Sequence, residues 1–221
     1  MPTTTPAAVL LDVDGTLVDT NYLHVIAWWE SFLARGHEVS CFDVHRAIGR
    51  GSDDLVRTLL GHDDDAVVDG HAERWAPLRA RMVPFHGARD LVRTCAERGL
   101  RVVLATSGAP EDVEDFRRVL DVDAHVHAVV NSGDVAQSKP APDVVRAALE
   151  AAGVPAERAV MVGDTVYDVR AARAAGVGCV ALLGGGIGET ELRQEDPAAV
   201  YGNTAELLAA LDDSPVGALL R

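Results

Sequence analysis

Lysine is almost missing from this chain. Its 221 residues include 20 lysines and arginines together, and Lys139 is the one lysine, which leaves nineteen arginines. Arginine stands wherever either cation would serve, so the exception marks a place where arginine will not do. Net positive charge is missing too. A formal charge of −14 argues against nucleic acid or an anionic membrane as partner, since both need basic patches. Cysteine is scarce: Cys41, Cys95 and Cys179 are far apart and odd in number. They make no disulfide framework and are expected to be buried free thiols in a reducing compartment. No apolar run approaches the ~18 residues of a membrane span. The start, "MPTTTPAA", has neither a basic nor an apolar region of signal-peptide type, so a frayed terminus and a cytoplasmic protein are expected. Internal repeats and low-complexity tracts are absent as well.

What is there is a globular composition, 48% hydrophobic and 24% charged, in a length that suits one large domain or a core with a smaller insertion. Short apolar runs alternate with segments of helical period, the sign of a parallel sheet covered by helices. The strands are expected at Ala8–Val13, Arg101–Thr106, Val126–Val130, Ala159–Gly163, Gly178–Leu183 and Ala198–Tyr201. Helical segments are expected near 88–98, 111–120, 141–152, 167–175, 189–194 and 204–212.

The alternation breaks once, between about Leu17 and Val83, where only helices are indicated. In "NYLHVIAWWESFLARG" the residues Tyr22, Val25, Ile26, Trp29, Phe32 and Leu33 fall on one helical stripe and are expected to face a core. Thr20, His24 and Trp28 form a second stripe beside it, either packed between helices or turned toward the main body. Ser40 and Ser52 read as N-caps, Gly49 and Gly61 as helix stops. A longer helix is expected over 64–82, with Pro77 as a kink. A helical module is therefore inserted after the first strand, with Leu17–Asp19 and Val83–Gly87 as connectors.

In parallel sheets ligands bind beyond the carboxyl ends of the strands. The first strand ends in Asp12 and Asp14, two residues apart and so on one side of the strand. The second ends in Thr106 and Ser107. The fourth ends in Asp164, with Asp168 one helical turn later. Lys139 lies ahead of that strand. Clustered carboxylates repel unless a cation shares their site, and hard oxygen ligands suit Mg²⁺. With a hydroxyl and an ammonium added, such a site receives a tetrahedral oxyanion such as phosphate. An ammonium is a compact point charge, a guanidinium a broad planar fork. Lys139 is therefore expected where one cation must touch both a carboxylate and a phosphoryl oxygen in a tight space.

Taken in order, "DVDGT", "ATS", "SKP" and "VGDTVYD" resemble the four motifs of the haloacid dehalogenase-superfamily phosphatases, and the likeness covers nearly the whole chain. It implies a Rossmann-like α/β core of residues 1–16 and 84–221 and an all-helical cap of 17–83, similar to phosphoglycolate phosphatase and β-phosphoglucomutase relatives. By position, it implies that Asp12 is the nucleophile and Asp14 the general acid and base. Mg²⁺ is then held by Asp12, Asp14 through its backbone carbonyl, and Asp164. The phosphoryl group is bound by Thr106, Ser107 and Lys139, while Asp168 orients Lys139 or a metal-bound water. The loop "IGRGSDD" resembles the cap loop that reaches the site, so Arg50, like His24, is a candidate substrate contact. The expected activity is hydrolysis of a small phosphorylated metabolite. Asp14 argues against dehalogenation, and a cap without lysine argues against a Schiff-base hydrolase. A phosphosugar mutase remains an alternative, as does an inactive phosphate-binding or regulatory protein, although no charged motif residue is missing. Substrate identity and oligomeric state stay open.

Overall fold

Residues of alternating direction along each strand sort into two buried layers. Val9, Leu11, Val102, Leu104, Val160 and Val162 pack on one side of the sheet; Ala8, Leu10, Val103, Ala105 and Met161 pack on the other. Burial on both faces is what makes these strands read as continuous apolar runs. The computed structural model describes residues 6–221, so most of the frayed start expected from the sequence lies outside the described residues.

Six parallel strands make one sheet: β1 (Ala8–Leu11), β2 (Arg101–Ala105), β3 (Ala128–Val130), β4 (Ala159–Gly163), β5 (Gly178–Leu182) and β6 (Ala199–Tyr201). Their spatial order is β3-β2-β1-β4-β5-β6. The order reverses between β1 and β4, and ligands of doubly wound sheets bind at that switch point. The expected Rossmann-like α/β core is thus the observed one.

Between β1 and β2 the chain forms α1 (Asn21–Ala34), α2 (Cys41–Ala47), α3 (Ser52–Leu60) and α4 (Asp65–Leu78), followed by α5 (Ala88–Glu97). Further on come α6 (Pro110–Leu120), α7 (Asp143–Ala152), α8 (Val166–Ala174), α9 (Glu189–Gln194), α10 (Thr204–Ala209) and α11 (Pro215–Ala218). Helices α1 to α4 enclose an apolar cluster of their own, built on Val25, Trp28, Phe32, Val44, Leu55 and Val67. The two connectors run side by side: Asp19 N–H donates to the Val83 carbonyl and Phe85 N–H to that of Leu17, both at 2.9 Å. None of the described helices is long and apolar enough to cross a membrane.

Several local expectations need correction. The first strand stops at Leu11 rather than Val13, because the chain turns out of the sheet to place Asp12–Gly15. The third starts at Ala128 rather than Val126, since Asp123–His125 form a 3₁₀ turn that ends at Val126. On α1, Tyr22, Ile26 and Leu33 are exposed while Val25, Trp28 and Phe32 are buried. The packed face is the Thr20–His24–Trp28 side, because α4 lies there: His71 stacks on Trp28 at 3.9 Å and Trp75 on His24 at 3.7 Å. Ser40 does cap α2 through the Asp43 N–H, but Gly51, not Ser52, precedes α3. Gly49, at φ +97°, directly follows the α2 C-cap Ile48, and Gly61 caps α3, so both glycines stand at helix ends as expected. Helix α4 runs through Pro77 to Leu78 and tightens into a 3₁₀ turn at Arg79–Arg81. Cys95 and Cys179 are buried as expected, but Cys41 is exposed at the start of α2.

One buried carboxylate ties the inserted helices to the core. Asp112 of α6 accepts from the Trp75 indole N–H at 2.8 Å and pairs with Arg79 at 2.8 Å. Replacing it leaves the buried indole N–H without its partner and leaves the half-buried Arg79 only the more distant Asp115, at 3.8 Å. Asp112→Ala should therefore destabilise the protein by about 2–3 kcal/mol, read as a lower urea midpoint, while a surface change such as Glu111→Ala stays within ~0.5 kcal/mol.

Candidate active site

The turn after β1 begins while Asp12 is still held by the sheet, its N–H donating to the Val162 carbonyl at 2.9 Å. Gly15 then takes φ +73°, and a Cβ there would lie 2.4 Å from Asp164 Oδ2, so the turn needs glycine on two counts. Beyond β4, Thr165 and Asp168 cap α8 reciprocally: Asp168 N–H donates to Thr165 Oγ1, and Thr165 N–H to Asp168 Oδ2 at 3.0 Å. The other Asp168 oxygen accepts from Lys139 Nζ at 2.7 Å, and Lys139 also donates to Asp12 Oδ1 at 2.6 Å. Carboxylate oxygens of Asp12, Asp164 and Asp168 lie within 4.8 Å of one another, all buried.

Two residues complete this cluster that sequence reasoning missed. The Thr16 hydroxyl donates to Asp164 Oδ1 at 2.8 Å and lies 3.3 Å from Asp12 Oδ2. Asn21 Nδ2 donates to Asp164 Oδ2 at 2.8 Å and to the Gly185 carbonyl at 3.2 Å. Gly185 is pressed so close to Asp164 that a Cβ would sit 1.7 Å from its Oδ2. Thr16 stood inside "DVDGT" and was open to reading; Asn21 carried no signal, because its partners lie 143 and 164 positions away.

Asp14 turns to a neighbouring set. Its carboxylate accepts from Thr20 Oγ1 at 2.7 Å and Thr106 Oγ1 at 3.1 Å, with His24 Nε2 at 3.4 Å. The other His24 nitrogen lies 3.1 Å from His71 Nε2. Beside the cluster opens a cleft of about 680 Å³ between the α2–α3 loop and the core, lined among others by Arg50, Arg57, Ser107, Gln137 and Ser138. Arg50 Nε and Ser107 Oγ are buried there without a partner. The structure thus brings Asp12, Lys139, Asp164 and Asp168 together, sets Asp14, Thr106 and His24 beside them, and puts Ser107 and Arg50 on the cleft wall.

A family model described as haloacid dehalogenase-like hydrolase matches residues 6–176, well over half of the sequence. The chain belongs to that family. Among its relatives, protein CbbY of Cereibacter sphaeroides is 34% identical, with 80% of this chain and 84% of that protein covered. A phosphoglycolate phosphatase of Pseudomonas savastanoi pv. phaseolicola is 29% identical over 97% of this chain and 83% of its own. Among solved structures, the crystal structure of a hydrolase from Pseudomonas syringae superposes with a TM-score of 0.89 at 29% identity, covering 94% of this chain and 98% of that one. This haloacid dehalogenase-like chain is accordingly a hydrolase of the phosphatase class.

Its electrostatics follow from one cation serving several acids. Burial lowers the Lys139 pKa, but Asp12 and Asp168 outweigh this and hold the ammonium charged. One ammonium does not balance the set. Burial first, with the repulsion of Asp168 added, pushes the Asp164 carboxyl up to about 7, and burial beside Asp168 and Asp164 raises Asp12 despite Lys139. Burial also acts to raise Asp14, yet the hydrogen bonds from His24, Thr20 and Thr106 leave it lowered. A hard divalent cation fits this hydrolase's cluster: the donors are all oxygen, they carry surplus negative charge, and Asn21 Oδ1 is a buried acceptor beside Asp164 without a partner.

A raised Asp164 pKa means that the folded protein keeps a proton the unfolded chain releases near 3.8. Its contribution to stability is complete below about pH 4 and fades as pH rises toward about 7. His71, pushed down to about 2 by burial with help from His24 and Arg79, works in the opposite sense, its contribution being lost as pH falls below about 6.5. Asp164→Asn separates the two. With chelator present, the urea midpoint of Asp164→Asn should gain on that of the wild type as pH is raised from 4 to 7.5; a constant difference would exclude the raised carboxyl.

Proposed function

We propose that this protein is a Mg²⁺-dependent phosphatase that hydrolyses a small phosphomonoester through an aspartyl-phosphate intermediate. The observation that carries the reading is the meeting of Asp12, Asp164, Asp168 and Lys139 at the switch point of the sheet. Phosphoryl transfer asks mainly for positioning and neutralised charge; that meeting supports the first through Lys139, and its surplus carboxylates would supply the second by holding a divalent cation.

In this reading the Asp12 carboxylate attacks phosphorus, forming an acyl phosphate as the ester P–O bond breaks. Asp14 gives its proton to the departing alkoxide and takes one from the water that then attacks phosphorus, releasing inorganic phosphate and free Asp12. The lowered Asp14 pKa suits the second half. For the first half Asp14 must regain a proton, and two of its three donors, Thr20 and His24, lie just beyond the connector and travel with the inserted helices. His24, with both ring nitrogens engaged, acts through Asp14 rather than on substrate. Asp12, the Asp14 backbone carbonyl and Asp164 would hold Mg²⁺, which when bound neutralises charge on the transferring group. Lys139, Thr106 and Ser107 bind the phosphoryl oxygens, and Asp168 keeps Lys139 in place. Residues 17–83 act as a cap over the core of 1–16 and 84–221, the paired connectors being the hinge. The cleft supports a small phosphorylated metabolite whose polar or anionic remainder meets Arg50.

The test is phosphate release from p-nitrophenyl phosphate with and without Mg²⁺. Turnover should require the metal; turnover indifferent to chelator would overturn the reading. Asp12→Asn should lose at least about a thousandfold in kcat while keeping its circular dichroism spectrum, and an active Asp12→Asn removes the nucleophile. Lys139→Arg should be nearly inactive despite its charge, since one nitrogen can no longer serve Asp12 and Asp168 together. Interconversion of glucose phosphates without net phosphate release would instead mark a mutase.

A further inference from the structure

Tyr167 lies between Asp164 and Asp168 and is buried, yet none of the chemistry above uses it. It stands in the first turn of α8, whose start is fixed by the same Asp168 carboxylate that holds Lys139. From there its ring reaches across to the inserted helices. The hydroxyl donates to the Arg46 carbonyl in the last turn of α2 at 2.8 Å. The Arg50 guanidinium carbon lies 4.4 Å above the centre of the ring, within cation–π range. Arg50 Nη1 is held by Asp54 at 2.5 Å, and Arg50 Nε is left without a partner at the cleft. Neighbouring contacts bring the same stretch down onto the core: His45 Nε2 lies 2.8 Å from the Gly185 carbonyl, and the Arg46 guanidinium grips Glu191 at 2.8 and 2.5 Å.

We propose that Tyr167 is a positioning residue for substrate selection: its ring holds the Arg50 guanidinium over the cleft, ready for a second anionic group on the substrate. The proposal rests on the phosphatase reading given above. An arginine side chain is long and loses much rotamer freedom when it is held. Here a flat aromatic surface and one carboxylate remove that freedom in advance, so a substrate anion meets a preorganised donor. The ring belongs to the core and the guanidinium to the inserted helices, so Arg50 takes this position only when the two are in contact. The site that grips phosphate and the arm that reads the remainder of the substrate are therefore set by one helix start.

The experiment uses the full-length protein with Mg²⁺ and compares kcat/KM for 2-phosphoglycolate and fructose 1,6-bisphosphate, which carry a second anion, with that for p-nitrophenyl phosphate, which does not. Tyr167→Leu should lower the ratio about tenfold, chiefly through KM, a change of about 1.4 kcal/mol. Tyr167→Phe keeps the ring and should stay within about threefold. Arg50→Ala should lower the ratio as well, and adding Tyr167→Leu to it should lower it no further. If the leucine variant fails to fold, Tyr167→Met fills much of the space without a π face and carries the same expectation. An unchanged ratio, an equal loss on all three substrates, a full loss in Tyr167→Phe or additive losses in the double variant would each overturn the proposal. A wild type inactive on all three with Mg²⁺ takes the phosphatase reading down with it; an active wild type with unmoved ratios sinks only the role of Tyr167.

Discussion

A single buried ammonium, with only 1% of its side chain exposed, stands between two buried carboxylates, and the surroundings of the site are arranged around that imbalance. Taking an ion out of water costs several kcal/mol, repaid only where partners are close and the remaining lone pairs are satisfied. Lys139 meets the condition with Asp12 and Asp168. Asp164 does not share the ammonium, so its oxygens are met instead by Thr16 and Asn21, and its carboxyl is pushed up. The glycines at 15 and 185 belong to the same constraint. The chain passes this buried carboxylate so closely at both glycines that no volume is left for a methyl group.

The fold is a means of bringing these charges together without strain on the sheet. Parallel strands β1 and β4 are neighbours, and the order of strands reverses between them, so the first residues past each strand face a common crevice. Only four residues separate Gly15 from Thr20, and in that interval the chain leaves the core, pairs with the returning connector and enters α1. The opening of α1 therefore belongs to two structures. Asn21 reaches back to Asp164, Thr20 and His24 reach back to Asp14, and from Val25 onward the same helix packs into the separate cluster of the inserted module. Any swing of that module about its connectors changes the donors around Asp14.

Much of this was open to reading from the letters, and the reasons are physical. Asp12, Thr106 and Asp164 stand at strand ends, and strand ends in a parallel sheet have one place to point. Lys139 stood out against nineteen arginines. What escaped was set by contacts between distant segments. Two stripes on α1 lie side by side, and periodicity alone cannot choose between neighbours one residue apart; the position of α4, with His71 and Trp75 on it, decides for Trp28 over Trp29. Asn21 has the look of an ordinary helix start until β4 and the loop after β5 are in place. Tyr167 passed as spacing between two aspartates because its partners, Arg46 and Arg50, belong to another part of the chain.

The preference for arginine elsewhere then acquires a geometric meaning. Where one carboxylate is to be gripped, the guanidinium fork does it with two nitrogens, as Arg46 does with Glu191 and Arg117 with Asp123. At Lys139 the demand is reversed: two carboxylates, one just past β1 and one in the first turn of α8, converge on one nitrogen, at 2.6 and 2.7 Å, in a space closed to water. A planar fork directs its donors outward in one plane and cannot bring them to a point, whereas an ammonium presents three rotatable donors from one atom. Two of those donors are used by Asp12 and Asp168. No side chain among the described residues takes the third, and converging donors of this kind are a task for which none of the nineteen arginines has the right shape.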